Sequence, residues 1–255
     1  MLRRPLLLLL LASSPACTFF AQPPPGWSRE LAFTADAVLE KAIEEQGEEE
    51  MAQQATDLMA SVDVRRHDVR PPTEVSHILL WKRPNSWSVE TRRPGEPSVR
   101  VIGHGTHGVE VVDGAVTRRD VPVTQVPVDR FLRHLFLLKF FREGAGERAE
   151  IEETVERDDG GHTLRIHKYD AMGRKWLLSL DAKTLEPIAV REWIETEDGD
   201  FAPIDTFVDG WSPDRFGHRV PRVLRSYAGG ELVQELEVKD LAWNRGLREQ
   251  DFRAP

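Results

Sequence analysis

The segment from His104 to Glu110 contains the one cluster of side chains in this chain whose types and spacing could bind a metal ion. It reads His-Gly-Thr-His-Gly-Val-Glu, and imidazole nitrogens and carboxylate oxygens are common zinc ligands. On a helix, His104 and His107 would share a face, but the surrounding glycines and valines predict a turn that enters a strand. Because a three-residue step along a strand points two side chains to opposite faces, we expect no metal site here. The His-Glu-x-x-His pattern of zinc proteases is also missing from this segment.

Two further patterns that carry catalytic chemistry do not occur in the sequence. It has no Gly-x-Ser-x-Gly nucleophile turn and no Gly-x-x-x-x-Gly-Lys phosphate loop. The single cysteine, Cys17, lies at the boundary of the leader, so it is not a catalytic nucleophile. Carboxylates are plentiful, as expected of an acidic surface. We therefore predict that the protein is not an enzyme and needs no cofactor.

The first seventeen residues predict a secretory signal peptide. Two arginines give a positive start, Leu6–Ala12 is apolar, and the small residues Ser14 and Ala16 precede a cleavage point. Two processing routes fit Cys17. It stands where bacterial lipoproteins carry the cysteine that becomes the lipidated N-terminus, although Ser14 occupies the position at which they prefer leucine. The other route is ordinary signal-peptidase cleavage between Ala16 and Cys17.

Residues 18–33 predict an extended tether, because Pro23–Pro25 favour polyproline II structure and cannot enter a helix interior. Residues 34–255 predict a single folded domain of a size that can bury a core. With one cysteine, this domain has no intramolecular disulfide and must be held by its core. No later segment has the long apolar run of a transmembrane helix.

The charge of the chain narrows its partners. Over 255 residues the formal net charge is −9, with acids and bases interspersed. An acidic balance of this kind argues against a nucleic-acid partner and against charge-driven adhesion to an anionic membrane. We expect a monomer that contacts a membrane only through an N-terminal lipid anchor.

Antiparallel strands dominate the predicted fold. Between residues 174 and 210, apolar and polar residues alternate over three segments, separated by turns at 181–184 and 197–200. Similar segments recur from Glu74 to Asp113 and from Ile151 to Leu241. Period-two alternation makes one face of a sheet apolar, and that face must be covered.

Two helical regions are available as the cover. Thr34 is a good N-cap, and apolar residues at helical spacing run from Ala35 to Val62, with a bend at Gly47. The second predicted helix, Val128–Phe141, is apolar around much of its circumference, so it must be buried on more than one side.

The order of these elements resembles the LolA/LolB-like superfamily, which contains outer-membrane lipoprotein-sorting and periplasmic lipid-binding proteins. The resemblance covers roughly residues 35–255. The segments that carry it are Lys82–Pro84, Val111–Gly114, Phe131–Phe140, Leu180–Pro187, Phe207–Trp211, Arg219–Arg222, Val238–Asn244 and Phe252–Pro255.

The resemblance implies an α+β fold in which a curved antiparallel sheet, an incomplete β-barrel, has helices over its concave face. It also implies an apolar cavity that accepts acyl chains. The residues expected to line this cavity are Trp81, Val89, Val101, Val111, Leu132, Leu135, Phe136, Phe140, Leu178 and Val190.

Two functions follow as hypotheses. The first is a carrier or binder of lipid or lipoprotein acyl chains in the bacterial envelope, periplasmic or anchored to the outer membrane through Cys17. The second is an envelope sensor or protein-interaction module of the same fold. An open cavity would favour the first hypothesis, and a cavity filled by the protein's own side chains would favour the second.

Overall fold

A computed structural model describes residues 34–122, 134–135, 137–142, 148–169, 175–195, 199–214 and 218–254. The predicted signal peptide, the tether and Cys17 lie outside these ranges, as do Leu132 and Phe136. The helices are α1 (Ala35–Gln46), α2 (Glu48–Gln54) and α3 (Leu137–Arg142), and a 3-10 helix spans Glu249–Phe252. In the described ranges, no helix combines the length and the apolar character that crossing a membrane requires.

Fifteen strands are described. They are β1 (Asp57–Arg66), β2 (Thr73–Lys82), β3 (Ser86–Arg92), β4 (Val99–His104), β5 (His107–Val112), β6 (Ala115–Pro122), β7 (Arg148–Glu156), β8 (His162–Tyr169), β9 (Lys175–Asp181), β10 (Pro187–Glu195), β11 (Phe201–Asp209), β12 (Ser212–Pro213), β13 (Arg219–Val220), β14 (Val223–Ala228) and β15 (Glu231–Trp243).

Thirteen of these strands form one antiparallel sheet in the order β6-β5-β4-β3-β2-β1-β15-β14-β11-β10-β9-β8-β7. The sheet does not close, since β6 and β7 remain its two edges. Both edges carry exposed charges, with Arg118 and Arg119 on β6 and Glu150, Glu152 and Glu156 on β7. Charged edge strands discourage pairing with another chain, which is how open sheets stay free of aggregation. The predicted fold class, a curved open sheet with covering helices, is confirmed.

The start of the helical cover follows the sequence closely. The Thr34 hydroxyl accepts a hydrogen bond from the Ala37 amide at 3.2 Å, which caps α1 as predicted. Gly47 has φ of 70°, a left-handed conformation that suits glycine, and it ends α1 and precedes α2. The predicted bend therefore lies at Gly47.

The prediction that the helical region continues to Val62 is wrong. The chain leaves α2 at Gln54 and enters β1, where Leu58, Ala60 and Val62 alternate with more exposed residues. Leu58 and Val62 are four residues apart, so their spacing fits a helical stripe as well as one face of a strand. Pairing with β2 on one side and β15 on the other settles the choice, because it satisfies the backbone of β1 on both edges.

We call the face of the sheet that carries Leu58, Ala60 and Val62 the inner face. Its buried side chains form two clusters. The first cluster joins β1–β4, β14 and β15 to Met51 of α2 and to Leu135. The second cluster joins β8, β9 and β10 to α1 and α3.

The C-terminal segment, residues 244–254, crosses the opposite, outer face of the sheet. The Asp57 carboxylate accepts hydrogen bonds from the amides of Arg245 at 2.6 Å and Gly246 at 3.1 Å. Farther along, Lys82 Nζ donates to the Leu247 carbonyl at 2.8 Å, and the Arg100 guanidinium donates to the Asp251 carbonyl. Asp57, Lys82 and Arg100 lie on β1, β2 and β4, so the segment ties these strands together from outside.

Candidate functional site on the inner face of the sheet

Four of the predicted cavity residues meet in the first cluster. Val89 and Val101 are direct cross-strand partners on β3 and β4, and Trp81 is the partner of Trp87 on the same face. Leu135 packs into this cluster from the helical side. Val89, Val101 and Leu135 are buried by other protein atoms, and Trp81 is partly buried.

Leu178 and Val190 lie elsewhere, in the second cluster. They are cross-strand partners on β9 and β10, and both are buried. The cover over them is formed by apolar residues of α1 and α3. These are Ala35, Val38, Leu39, Ala42, Ile43, Leu137, Leu138 and Phe141. The predicted single cavity wall is therefore divided into two packed regions.

A buried polar pair separates the two regions. Thr206 of β11 and Ser226 of β14 are cross-strand partners whose hydroxyl groups hydrogen-bond at 2.9 Å. Thr206 is also the partner of Val190 in the second cluster, while Leu224, two residues before Ser226, belongs to the first. The sequence signal was available, because both hydroxyl residues occupy inward positions of an alternating pattern.

Val111 is not brought to the inner face. Its cross-strand partner is Arg100, which alternates with the inward Val101 and therefore points outward. The side chain of Arg100 confirms this side, because it reaches the hydroxyl of Ser88 at 2.9 Å and the C-terminal segment. Val111 is thus buried on the outer face. On β5 the inward positions belong to Gly108, Glu110 and Val112. The period of alternation was predicted correctly, but the wrong residues were assigned to the inner face.

The remaining predicted residues are not among the described side chains. Leu132, Phe136 and Cys17 fall outside the described residues, and Phe140 is described only as part of the α3 backbone. The described part of the second predicted helix includes Leu135, Leu138 and Phe141, which are buried as its apolar composition predicts.

The cover is held mainly by apolar packing and by a few polar contacts at the α1–α2 junction. Gln46 Nε2 donates to the Thr184 carbonyl in the β9–β10 turn at 3.2 Å. The Glu48 carboxylate accepts the Leu138 amide at 3.2 Å, which links α2 to α3. Each fully buried Val38, Leu39 or Ile43 contributes roughly 1.5–3 kcal/mol. An acyl chain offers the sheet the same kind of contact that these side chains make.

His77 places a polar group on the inner face of β2. It pairs across the sheet with Val62 and Thr91, and its Nδ1 lies 3.1 Å from the Thr91 hydroxyl. Burial, assisted by the positive charge of Arg93, lowers the pKa of His77 from 6.5 to about 4. At neutral pH the imidazole is therefore uncharged, and it offers hydrogen bonds without attracting an anion through charge.

The segment from His104 to Glu110 is a hairpin, and the expectation about its histidines is corrected. His104 and His107 are cross-strand partners flanking a two-residue turn, so they share a face. The chain reverses between them, whereas the prediction treated the step as one continuous strand. Their Nδ1 atoms lie 3.2 Å from the Ser86 hydroxyl and 2.9 Å from the Thr106 hydroxyl, respectively. Across the described residues, no group of three or more His, Cys, Asp or Glu side chains converges as a metal site would require.

The glycines of this hairpin make room for Trp87. A Cβ atom on Gly103 would lie 2.1 Å from the Trp87 ring, and one on Gly108 would lie 2.8 Å from it. The indole Nε1 donates to the Gly105 carbonyl at 2.9 Å, which fixes the ring over both strands. Gly103, Gly105 and Gly108 also fit the letter pattern Gly-x-Gly-x-x-Gly. That motif binds dinucleotides where a strand turns into a helix, and here it joins two strands.

Similar proteins were found by comparing structures and not by comparing sequences. No known protein family's sequence profile matches it, and no curated protein does. A LolA superfamily protein from Nitrosomonas europaea superposes with a TM-score of 0.59 and 14% identity, over 87% of this chain and 98% of that one. A domain from Vibrio parahaemolyticus named as an outer membrane lipoprotein-sorting protein gives 0.56 and 13%, over 84% and 97%.

At these identities the likeness concerns the backbone arrangement. The open sheet and its covering helices account for nearly the whole length of both known structures. The chain therefore has the fold of the LolA superfamily, as its order of elements predicted.

Proposed function

We propose that this chain is a non-catalytic protein that binds lipid or lipoprotein acyl chains between its sheet and its helices, in the service of envelope lipid or lipoprotein transport. The observation that carries the proposal is the second cluster. There an apolar wall centred on Leu178 and Val190 is closed by the apolar side of α1. Because both sides of this interface are apolar, an acyl chain can replace the apolar contacts that α1 makes with the sheet.

The energy of such an exchange is adequate. Each buried methylene contributes about 0.8 kcal/mol, so a dozen contribute roughly 10 kcal/mol before the costs of ordering the chain and displacing the cover. Displacing α1 exposes Val38, Leu39 and Ile43, so the cost of exposing them offsets part of the gain from binding the chain. A transport protein needs such an opposing cost, since a ligand bound without it would not be released.

The shared fold supports the same class of function by analogy. One of the two known structures is a domain named for lipoprotein sorting. A fold hosts more than one function, so the specific evidence must come from the inner face.

The closed packing of that face supports a second candidate. Val89, Leu178 and Val190 contact protein atoms on all sides. An envelope sensor or protein-interaction module would keep its inner face filled in this way and would bind its partner elsewhere. The two candidates differ in one observable, which is whether an acyl chain reaches the inner face.

The proposal extends to the N-terminus, where lipidation of Cys17 and removal of the residues before it would anchor the domain to the outer membrane by a tether. Mass spectrometry of the mature protein tests this step. An unmodified Cys17 would leave a periplasmic protein without an anchor.

Native mass spectrometry of protein purified without detergent tests binding directly, and we expect co-purified lipid. Quenching of tryptophan fluorescence by brominated acyl chains then locates the ligand. Trp176 lies on the inner face in the second cluster, whereas Trp193 lies on the outer face with Lys175 Nζ 5.3 Å from its ring centroid. We expect Trp176→Phe to remove most of the quenching and the matched control Trp193→Phe to leave it in place.

Two results would count against acyl binding. One is the absence of co-purified lipid together with no quenching by any brominated fatty acid or acylated peptide. The other is quenching that depends on Trp193 and not on Trp176. The first result would favour the interaction module, and the second would place the apolar ligand on the outer surface.

A further inference from the structure

The inner wall of the second cluster ends at a buried charged residue. Along β8, the side chains of Leu164, Ile166 and Lys168 point inward in turn. Lys168 is 1% exposed, and its cross-strand partners on the inner face are Ala149 of β7 and Trp176 of β9. An ammonium group therefore lies at one end of the apolar wall over which an acyl chain would lie.

A lysine in this position is costly for a purely structural role. Burying an ammonium group costs several kcal/mol unless it is paired, and apolar residues of similar volume are often neutral or better in its place. Lys168 does have an interaction partner in the structure, as a buried ammonium group requires. A leucine or methionine there would extend the wall formed by Leu164 and Ile166 without any such requirement.

Lys168 lies at the end of the wall opposite the β9–β10 turn. Gln46, the last residue of α1, donates a hydrogen bond to the Thr184 carbonyl in the turn that follows β9. Thr163, near the start of β8, pairs with Asp181 at the end of β9 and therefore lies at the same end of the wall. Lys168 is five residues farther along β8, about 17 Å from Thr163 at the rise of a strand. A chain that lies along the strands over Leu164 and Ile166 would thus have its end beside Lys168.

We propose that Lys168 binds the anionic headgroup of the acyl ligand, a carboxylate or a phosphate. The inference rests on the proposed function and names the chemical class of the ligand. When the cover moves to admit the chain, the ligand's anion supplies a charged hydrogen-bond acceptor to the ammonium group of Lys168. A hydrogen bond between two charged groups in a site of low polarity supplies both affinity and the orientation of the chain.

Competition among three ligands with the same alkyl chain tests this assignment. N-phenyl-1-naphthylamine, a neutral fluorescent probe, reports occupancy of the apolar site, and decanoate, decyl phosphate and decan-1-ol compete for it. On the wild-type protein we expect at least one anion to displace the probe at a concentration about ten- to a hundredfold lower than decan-1-ol, which matches the strength of a charged hydrogen bond. Preference for decanoate indicates a fatty-acid carboxylate, and preference for decyl phosphate indicates a phospholipid phosphate.

Variants separate binding from structure. Lys168→Met should bring both anions to the level of decan-1-ol while the displacement by decan-1-ol is unchanged, and Lys168→Arg should retain the preference. Lys183→Met is the matched control, since Lys183 is exposed in the β9–β10 turn and should not affect any competitor. If Lys168 had only a structural role, Lys168→Met would change the stability of the protein. It would not change the ratio between the concentrations at which the anions and decan-1-ol displace the probe.

Equal displacement by all three competitors on the wild-type protein would overturn the role of Lys168 and leave acyl binding intact. A preference for the anion that persists in Lys168→Met would also overturn it. If neither the probe nor decan-1-ol binds, acyl binding itself fails, and the headgroup assignment fails with it. The wild-type comparison needs no variant, so equal displacement would overturn the role of Lys168 even if Lys168→Met does not fold.

Discussion

Replacing Gly103 by alanine tests how the hairpin and the inner wall fit together. The added methyl carbon would lie 2.1 Å from Trp87 Cζ2, 2.3 Å from Cε2 and 2.7 Å from Cη2, all far inside van der Waals contact. The indole cannot easily move away. It is 3% exposed, and its Nε1 is held by the hydrogen bond to the Gly105 carbonyl.

The expected cost has two parts. Overpacking a closed core costs about 1–3 kcal/mol, and a ring displaced from Gly105 loses a hydrogen bond worth about 0.5–1.5 kcal/mol. We therefore expect Gly103→Ala to lower the free energy of unfolding by about 2–4 kcal/mol. Gly105→Ala in the same hairpin is the matched control, because nothing lies within 4 Å of its added Cβ and only its positive φ of 65° opposes the change. Its cost should be about 1 kcal/mol.

Urea unfolding followed by far-UV circular dichroism measures both variants. A double-mutant cycle with Trp87→Phe then isolates the contact, because the smaller ring removes most of the clash. The costs of Gly103→Ala and Trp87→Phe should add to clearly more than the cost of the double variant. Additive costs, or a Gly103→Ala protein as stable as Gly105→Ala, would refute the assignment of these glycines to the packing of Trp87.

Two further predictions concern stability. The pKa of His77 is lowered from 6.5 to about 4 in the folded state. Between these two pH values the unfolded state therefore binds a proton at His77 and the folded state does not. The stabilising contribution of neutral His77 is complete above pH 6.5 and is lost as the pH falls towards 4. His77→Gln should therefore reduce the loss of unfolding free energy over this interval by about 3 kcal/mol, and parallel pH profiles for the variant and the wild type would contradict the shift. Asp57→Ala should cost about 2–3 kcal/mol in urea unfolding, because the amides of Arg245 and Gly246 lose their acceptor. Asp158, exposed in the β7–β8 turn, provides the control, and an Asp57→Ala midpoint equal to that of Asp158→Ala would show that the C-terminal segment is held by other contacts.

Local sequence signals were sufficient for most of the secondary structure. Alternating residues bounded by glycine and proline located the strands between Glu74 and Asp113 and most of those between Ile151 and Leu241. The cap at Thr34 and the break at Gly47 also followed from residue type, since a hydroxyl that accepts an amide and a glycine at positive φ act within a few residues of themselves. The order of these elements was enough to indicate a sheet with a helical cover.

Relations between distant segments were decided only by the tertiary structure. Strand alternation has a period of two but no fixed phase, so Val111 was assigned inward although its pairing with Arg100 places it outward. A spacing of four residues fits a helix and a strand alike, so Leu58 and Val62 became strand residues only when β2 and β15 paired on either side.

The sequence by itself determined an open antiparallel sheet with one apolar face, and the residues available to cover that face. Only the tertiary structure divided that cover into two packed clusters, sent the C-terminal segment across the outer face and buried Lys168 at the end of the inner wall. The physical reason is that propensity and periodicity act within a few residues, whereas burial depends on which distant strand or helix comes to lie on each face.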